Sequence, residues 1–208
     1  MARVSGPLMS VDASGKFGGS MVFAKWKGRN YVRQLVTPKN PKAAKQLGVR
    51  SMMGFLAAAW DALGAPAKAS YVTAAAARSI STFNQYVSEN LARWQLFSGP
   101  SQATPATEAS SALTVTTMTL TGGAGFATID ITPSGATSIW GIAIFRDVAA
   151  ITAPNWNNCV AVIPADGANA VSYTDSPLDA GTYHYRAAIL NVDGKVGTVK
   201  ADATAVVT

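Results

Sequence analysis

The chain has 208 residues, 49% of them apolar and only 13% charged, and a net charge of +6; that length suits one large domain or two of about 100 residues. A single cysteine, Cys159, excludes an intramolecular disulfide and a multi-cysteine zinc site. Charge is uneven, with 13 Lys and Arg against 3 Asp and Glu in residues 1 to 100 and 4 against 8 in residues 101 to 208, so the N-terminal half presents a positive field suited to acidic protein or nucleic acid.

The first 20 residues lack the apolar core of a signal peptide, and no stretch approaches the ~18 apolar residues of a membrane span. This predicts a protein made in the cytoplasm, with no export by that route and no membrane partner. Gly15, Gly18 and Gly19 open a Gly-rich turn. Two runs of strand formers follow, Met21 to Trp26 and Tyr31 to Val36, and Lys27-Gly28-Arg29-Asn30 between them predicts a β-hairpin. Two strands alone are marginal in water, so the hairpin must lie on the helices or join a sheet from another chain.

Thr37 to Pro41 ends the strand and offers Asn40 as an N-cap with Pro41 at the first helical position. A helix is predicted from Pro41 to about Leu63, with Ala44, Leu47, Met52, Phe55, Leu56, Ala59, Trp60 and Leu63 forming one stripe. Gly48 and Gly54 interrupt that stripe and let another backbone come close. A second helix is predicted from Pro66 to Arg78, and a third from Phe83 to about Phe97, capped by Ser81 or Thr82. The polar, proline-bearing stretch 99–111 predicts a linker.

Beyond the linker the period becomes two. Strands are predicted over Leu113 to Leu120, Phe126 to Ile131, Ile139 to Arg146, Val160 to Ile163, Ala170 to Thr174, Tyr183 to Asn191, Val196 to Ala201 and Ala203 to Val207, separated by Gly, Pro and Asp turns. The expected fold class is α+β and multi-domain: a β-hairpin plus three-helix domain over 1–98, a linker over 99–111, and an all-β sandwich over 112–208.

Within the sandwich, Leu178, Gly181, Tyr183 and Asn191 resemble the E to F corner of fibronectin type III domains, and the Ile139 to Arg146 run is similar to their strand C. The resemblance implies that the Tyr183 hydroxyl returns to upstream backbone, and it says little of function, since such sandwiches serve as spacers, adhesins and docking modules alike. The Gly-rich opening, VFAKWKGRNYVR, TPKNPKAAKQ and FNQYVSENL resemble a group of uncharacterised bacteriophage virion proteins. That resemblance implies a structural subunit: a capsid decoration, head fibre, collar or tail component.

Nothing in the sequence assembles a catalytic set. His184 is the single histidine, predicted to lie on the solvent face of its strand, and nothing orients it towards Cys159. Asp130, Asp147, Asp166, Asp175, Asp179, Asp193 and Asp202 fall mostly in turns or at strand ends, where turn chemistry accounts for them. The Gly-rich ASGKFGGS lacks the spacing of a phosphate loop. No enzyme activity, metal or cofactor is expected.

The candidate interface is the basic, aromatic hairpin: Lys25, Trp26, Lys27, Arg29, Tyr31 and Arg33. Trp, Tyr and Arg dominate protein interfaces, and cations alternating with aromatics also suit nucleic acid. Asn40 and Pro41 at the helix start, with Phe55 and Trp60 on the helix face, complete the expected contacts. The leading expectation is a virion structural protein, localised to the particle, that meets capsid, portal or tail subunits as a homo-oligomer. Two alternatives stand beside it: a receptor- or glycan-binding adhesin using Trp140 and Trp156, and a nucleic-acid-binding N-terminal segment.

Overall fold

The computed structural model describes residues 2–3, 14–17, 19–36, 43–108, 113–134, 138–167 and 169–208, with the backbone alone for residues 2, 3 and 17. The chain forms two compact units, Met1–Pro41 and Lys42–Thr208.

Among its described residues, the first unit is a four-stranded antiparallel sheet of β1 (Ala2–Arg3), β2 (Gly15–Phe17), β3 (Met21–Trp26) and β4 (Arg29–Gln34), in the order β1-β4-β3-β2. Strands β3 and β4 are the predicted hairpin, with a tighter turn than the sequence suggested. Trp26 pairs with Arg29, which leaves only Lys27 and Gly28 in the loop. Both have positive φ, 48° and 75°, as a two-residue turn matched to strand twist requires. Arg29 and Asn30, expected in the turn, are therefore strand residues.

The second unit begins with helices α1 (Ala44–Ala62), α2 (Ala65–Ser70), α3 (Val72–Ala77) and α4 (Thr82–Gln95). Ala43 is extended, with ψ 144°, so α1 starts at Ala44 rather than Pro41; Asn40 and Pro41 lie outside the described residues. The predicted second helix is two short ones that meet at Tyr71. Ser81 caps α4, its hydroxyl accepting from the Asn84 N–H at 3.1 Å.

Seven strands follow: β5 (Val115–Gly123), β6 (Phe126–Pro133), β7 (Ile139–Asp147), β8 (Cys159–Pro164), β9 (Val171–Asp175), β10 (Gly181–Asn191) and β11 (Ala203–Val207). They form a three-stranded sheet, β5-β6-β9, and a four-stranded sheet, β11-β10-β7-β8. The predicted strand over 196–201 is not a ladder. It follows β10 through the Gly197 N–H on the Ile189 carbonyl and the Lys200 N–H on the Ala187 carbonyl.

The four-stranded sheet is buried on both faces. On one, Ile142, Ile144, Tyr185, Ala187 and Ile189 pack against Ile129 and Ile131 of the three-stranded sheet. On the other, Ala143, Phe145, Cys159, Val162, Ala188 and Leu190 pack against Met52, Phe55, Leu56, Tyr86 and Trp94 of the helices. Each large side chain so buried contributes roughly 1.5–3 kcal/mol. The second unit is thus three layers: helices, four-stranded sheet, three-stranded sheet.

The expected division at residues 98 and 112 is corrected by this packing, because the helices complete the sandwich instead of forming a domain with the hairpin. The expected linker is also packed against the body over its described residues 99–108. Buried Ser101 donates its N–H to Asn90 Oδ1 at 2.6 Å, and its carbonyl accepts from Tyr71 Oη at 3.0 Å and Asn90 Nδ2 at 3.1 Å. Arg93 of α4 donates to the Gly99 and Gly194 carbonyls and pairs with Glu108 at 2.8 Å. Polarity suggested a solvated tether, whereas here the polar groups satisfy one another.

Candidate functional site: the basic face of the N-terminal sheet

Alternation along the strands sorts the side chains of the first unit. Directly opposed residues share a face. Trp26 with Arg29, Ala24 with Tyr31, and Val22 with both Arg33 and Lys16 therefore define one face. Lys25 with Asn30, Phe23 with Val32, and Met21 with Gln34 define the other. Of the six predicted interface residues, Trp26, Arg29, Tyr31 and Arg33 are brought together, Lys25 is placed opposite, and Lys27 sits in the turn. Its ammonium lies 4.9 Å from the Trp26 ring centroid.

Lys16 joins this face from β2 and was missed as a site residue, because its pairing with Val22 depends on a register that a three-residue strand does not announce. Most of the face is open: Trp26 is 66% exposed, Lys16, Arg29 and Arg33 are exposed, and Tyr31 is half-buried. The unit boundary sharpens the charge asymmetry. Residues 1–41 hold seven Lys and Arg against one Asp, a net +6, and residues 42–208 hold ten against ten. All of the net charge resides in the first unit.

The helix contacts expected to face a partner are spent inside the second unit. Phe55 is 6% exposed and packs edge-on against Trp140 at 5.0 Å, while Trp60 packs against Phe83 at 5.7 Å and Tyr86 at 5.2 Å. The two tryptophans weighed as a sugar platform are also engaged. Trp140 packs with Phe55 in the helix-facing cluster, and Trp156 lies under the Lys45 ammonium at 4.4 Å. A groove of about 540 Å³ lies beside Phe55 and Trp140, lined by Ser51, Gly54, Ala58 and Pro164 among others. It is apolar, and its one hydroxyl, Ser51 Oγ, already accepts from the Val162 N–H at 2.6 Å and donates to the Val162 carbonyl at 3.1 Å.

The sandwich carries ionic clusters that close on themselves. Asp175, 3% exposed, receives the Arg146 guanidinium at 2.7 Å and the Tyr185 hydroxyl at 3.1 Å, so β7, β9 and β10 meet at one carboxylate. Burial, then the Asp175 charge, raises the Tyr185 hydroxyl well above the ordinary phenol value. His184 is half-buried rather than solvent-facing. Its Nδ1 lies 2.6 Å from Asp202 Oδ2, and Asp202 Oδ1 accepts from the Ile151 N–H. Burial pushes the Cys159 thiol up to about 12, the wrong direction for a nucleophile. Among the described residues, no group of three His, Cys, Asp or Glu is placed to hold a metal ion, and no helix is long and apolar enough to cross a membrane.

At the sandwich corner, Tyr183 Oη donates to the Asp179 carbonyl at 3.1 Å, four residues upstream. The Leu178 N–H donates to the Gly125 carbonyl, and Gly181 opens β10. Buried Asn191 accepts from the Asp193 and Lys195 N–H groups, fixing the turn after β10.

No protein-family model matches the chain, and no curated protein does. Among solved structures, it is similar to the PKD domain of an M14-like peptidase from Thermoplasmatales archaeon SCGC AB-540-F20, with 14% identity over 46% of this chain and 91% of that one, at a TM-score of 0.30. A second likeness is to the sulfur carrier protein SoxY from Chlorobium limicola f thiosulfatophilum, 18% identical over 48% and 81%, at 0.29. A third is to HiLPMO9B, 15% identical over 42% and 51%, at 0.24. Scores this low carry no functional meaning. The class that the fold itself defines is α+β, with facing β-sheets and a helical layer.

Proposed function

We propose that this protein is a bacteriophage virion structural subunit without enzymatic activity, in which the positively charged N-terminal sheet attaches a neutral body to the particle. The observation that carries the reading is the confinement of the whole net charge to residues 1–41, a unit separate from the body. A short, compact, cationic sheet suits attachment to an acidic surface. The body is, on this reading, a fibronectin type III sandwich with an added helical layer. Three strands facing four and the Tyr183 to Asp179 hydrogen bond support that assignment.

The resemblance of VFAKWKGRNYVR and FNQYVSENL to phage virion proteins supplies the particle as context. Capsid, portal or tail subunits are the proposed neighbours, and further copies of this chain make it a homo-oligomer. The test is co-sedimentation with particles assembled in the absence of this protein. The full chain is expected to rejoin them and residues 42–208 to stay in the supernatant; equal recovery of both, or of neither, overturns the reading.

A further inference from the structure

The two faces of the N-terminal sheet divide by chemistry. Protein interfaces are depleted of Lys, Glu and Asp at their core and enriched there in aromatic residues, Met and Arg, so the two faces are told apart by the number and spacing of their cations. Met21, Phe23 and Val32 lie on one face with Gln34, Asn30 and a single cation, Lys25, while Val22 and Ala24 lie on the other. The opposite face has its cations set among aromatics: along β4 the order is Arg29, Tyr31, Arg33, with Trp26 beside Arg29 and Lys16 in the row of Arg33. Co-facial residues repeat at about 6.8 Å along a strand and about 4.8 Å across strands. Cations and rings therefore alternate on a spacing that an extended chain of phosphates and bases can follow.

We infer that the face of Lys16, Trp26, Arg29, Tyr31 and Arg33 binds single-stranded nucleic acid, with phosphates on the three cations and bases stacked on the two rings. Stacking on exposed aromatics within a positive surface is the general means of holding single strands without sequence preference. Trp26, two-thirds exposed, offers such a ring, and its neighbour Lys27 adds a cation 4.9 Å from the ring centroid. Guanidinium groups suit phosphate through paired N–H donors, which two of the three cations supply. This assignment rests on the attachment role proposed above and names what the charged face meets.

The experiment is fluorescence anisotropy of a labelled oligothymidylate 20-mer with the full chain, at 50 and 200 mM salt. Binding is expected at 50 mM, weakening about twentyfold at 200 mM if three phosphates are neutralised. Trp26→Ala and Tyr31→Ala should each weaken it about tenfold. Arg29→Ala and Arg33→Ala should each flatten the logarithmic salt slope by about 0.7. Lys25→Ala, on the opposite face, should change it less than twofold. Absence of binding at 50 mM overturns the inference. So does equal competition by polyglutamate with no effect of the ring substitutions, which would make the ligand an acidic protein surface. Equal affinity for duplex overturns the single-strand assignment. Particles that rejoin without oligonucleotide binding sink this inference alone, and oligonucleotide binding without rejoining sinks only the virion reading.

Discussion

At the scale of single residues, the body is held by polar groups whose partners come from distant strands. Asp175 illustrates the energetics. Replacing it with Ala leaves the Arg146 guanidinium, whose side chain is 15% exposed, without its counter-charge and the Tyr185 hydroxyl without its acceptor. Breaking such a pair typically costs about 3–5 kcal/mol. Tyr185→Phe, which removes only a hydrogen bond, should cost about 1 kcal/mol. Urea unfolding of the two variants checks the ranking.

Two phenols, buried Tyr71 and half-buried Tyr173, set a pH limit. Burial pushes Tyr71 and Tyr173 up to about 12 from an ordinary 10.0. The unfolded chain loses these protons near pH 10 while the folded chain keeps them. The stability they contribute is whole below pH 10 and is lost as pH rises towards 12. Thermal melts at pH 8, 10 and 11.5 should show Tm falling across that window. None of these partners was legible in the sequence, since Arg146 and Asp175 are joined by sheet topology rather than by spacing.

Among elements, α1 shows what periodicity conveys and what it omits. The apolar stripe through Met52, Phe55 and Leu56 is legible and identifies the buried side of the helix. What that side covers is not. It lies on β8, where Ser51 satisfies both backbone groups of Val162 and so protects part of an edge strand.

The two glycines of α1, alike in sequence, then differ. A Cβ at Gly48 would stand 2.5 Å from the Cys159 carbonyl oxygen, and one at Gly54 would meet nothing within 4 Å. Gly48→Ala should therefore destabilise by about 1–3 kcal/mol, the strain outweighing the gain in helix propensity. Gly54→Ala should stabilise by about 0.5–1 kcal/mol. Denaturant midpoints for the pair are the measurement. The hairpin was clearer because its signal is local: Gly28 permits the positive φ that the two-residue turn requires. Alternation along β3 already divides Lys25 from Trp26, and only the pairing register sets Trp26 on the face of Arg29, Tyr31 and Arg33.

For the whole molecule, the three-layer packing predicts that residues 42–208 unfold in one cooperative transition without the N-terminal sheet. Residues 112–208 alone would expose Phe145, Val162, Ala188 and Leu190, all buried here against the helices. That shorter chain is expected to bind a hydrophobic dye and to lack a cooperative melt, by calorimetry or near-ultraviolet dichroism.

The sequence by itself determined the succession of helices and then strands after the hairpin, the hairpin itself, a cap at Ser81 or Thr82, and the concentration of positive charge near the N-terminus. Each of these is written in local propensity, turn chemistry or plain counting. The continuous apolar runs of β7, β8 and β10 also carried a sign of burial on both faces, but an apolar run does not name the layer that covers it. Tertiary structure decided that the helices belong to the sandwich, that the division falls after Pro41, and that a basic, aromatic face stands on the smaller unit. The physical reason is that burial and register join residues far apart in the chain, and a pattern within one element specifies which face needs a partner without specifying which element supplies it.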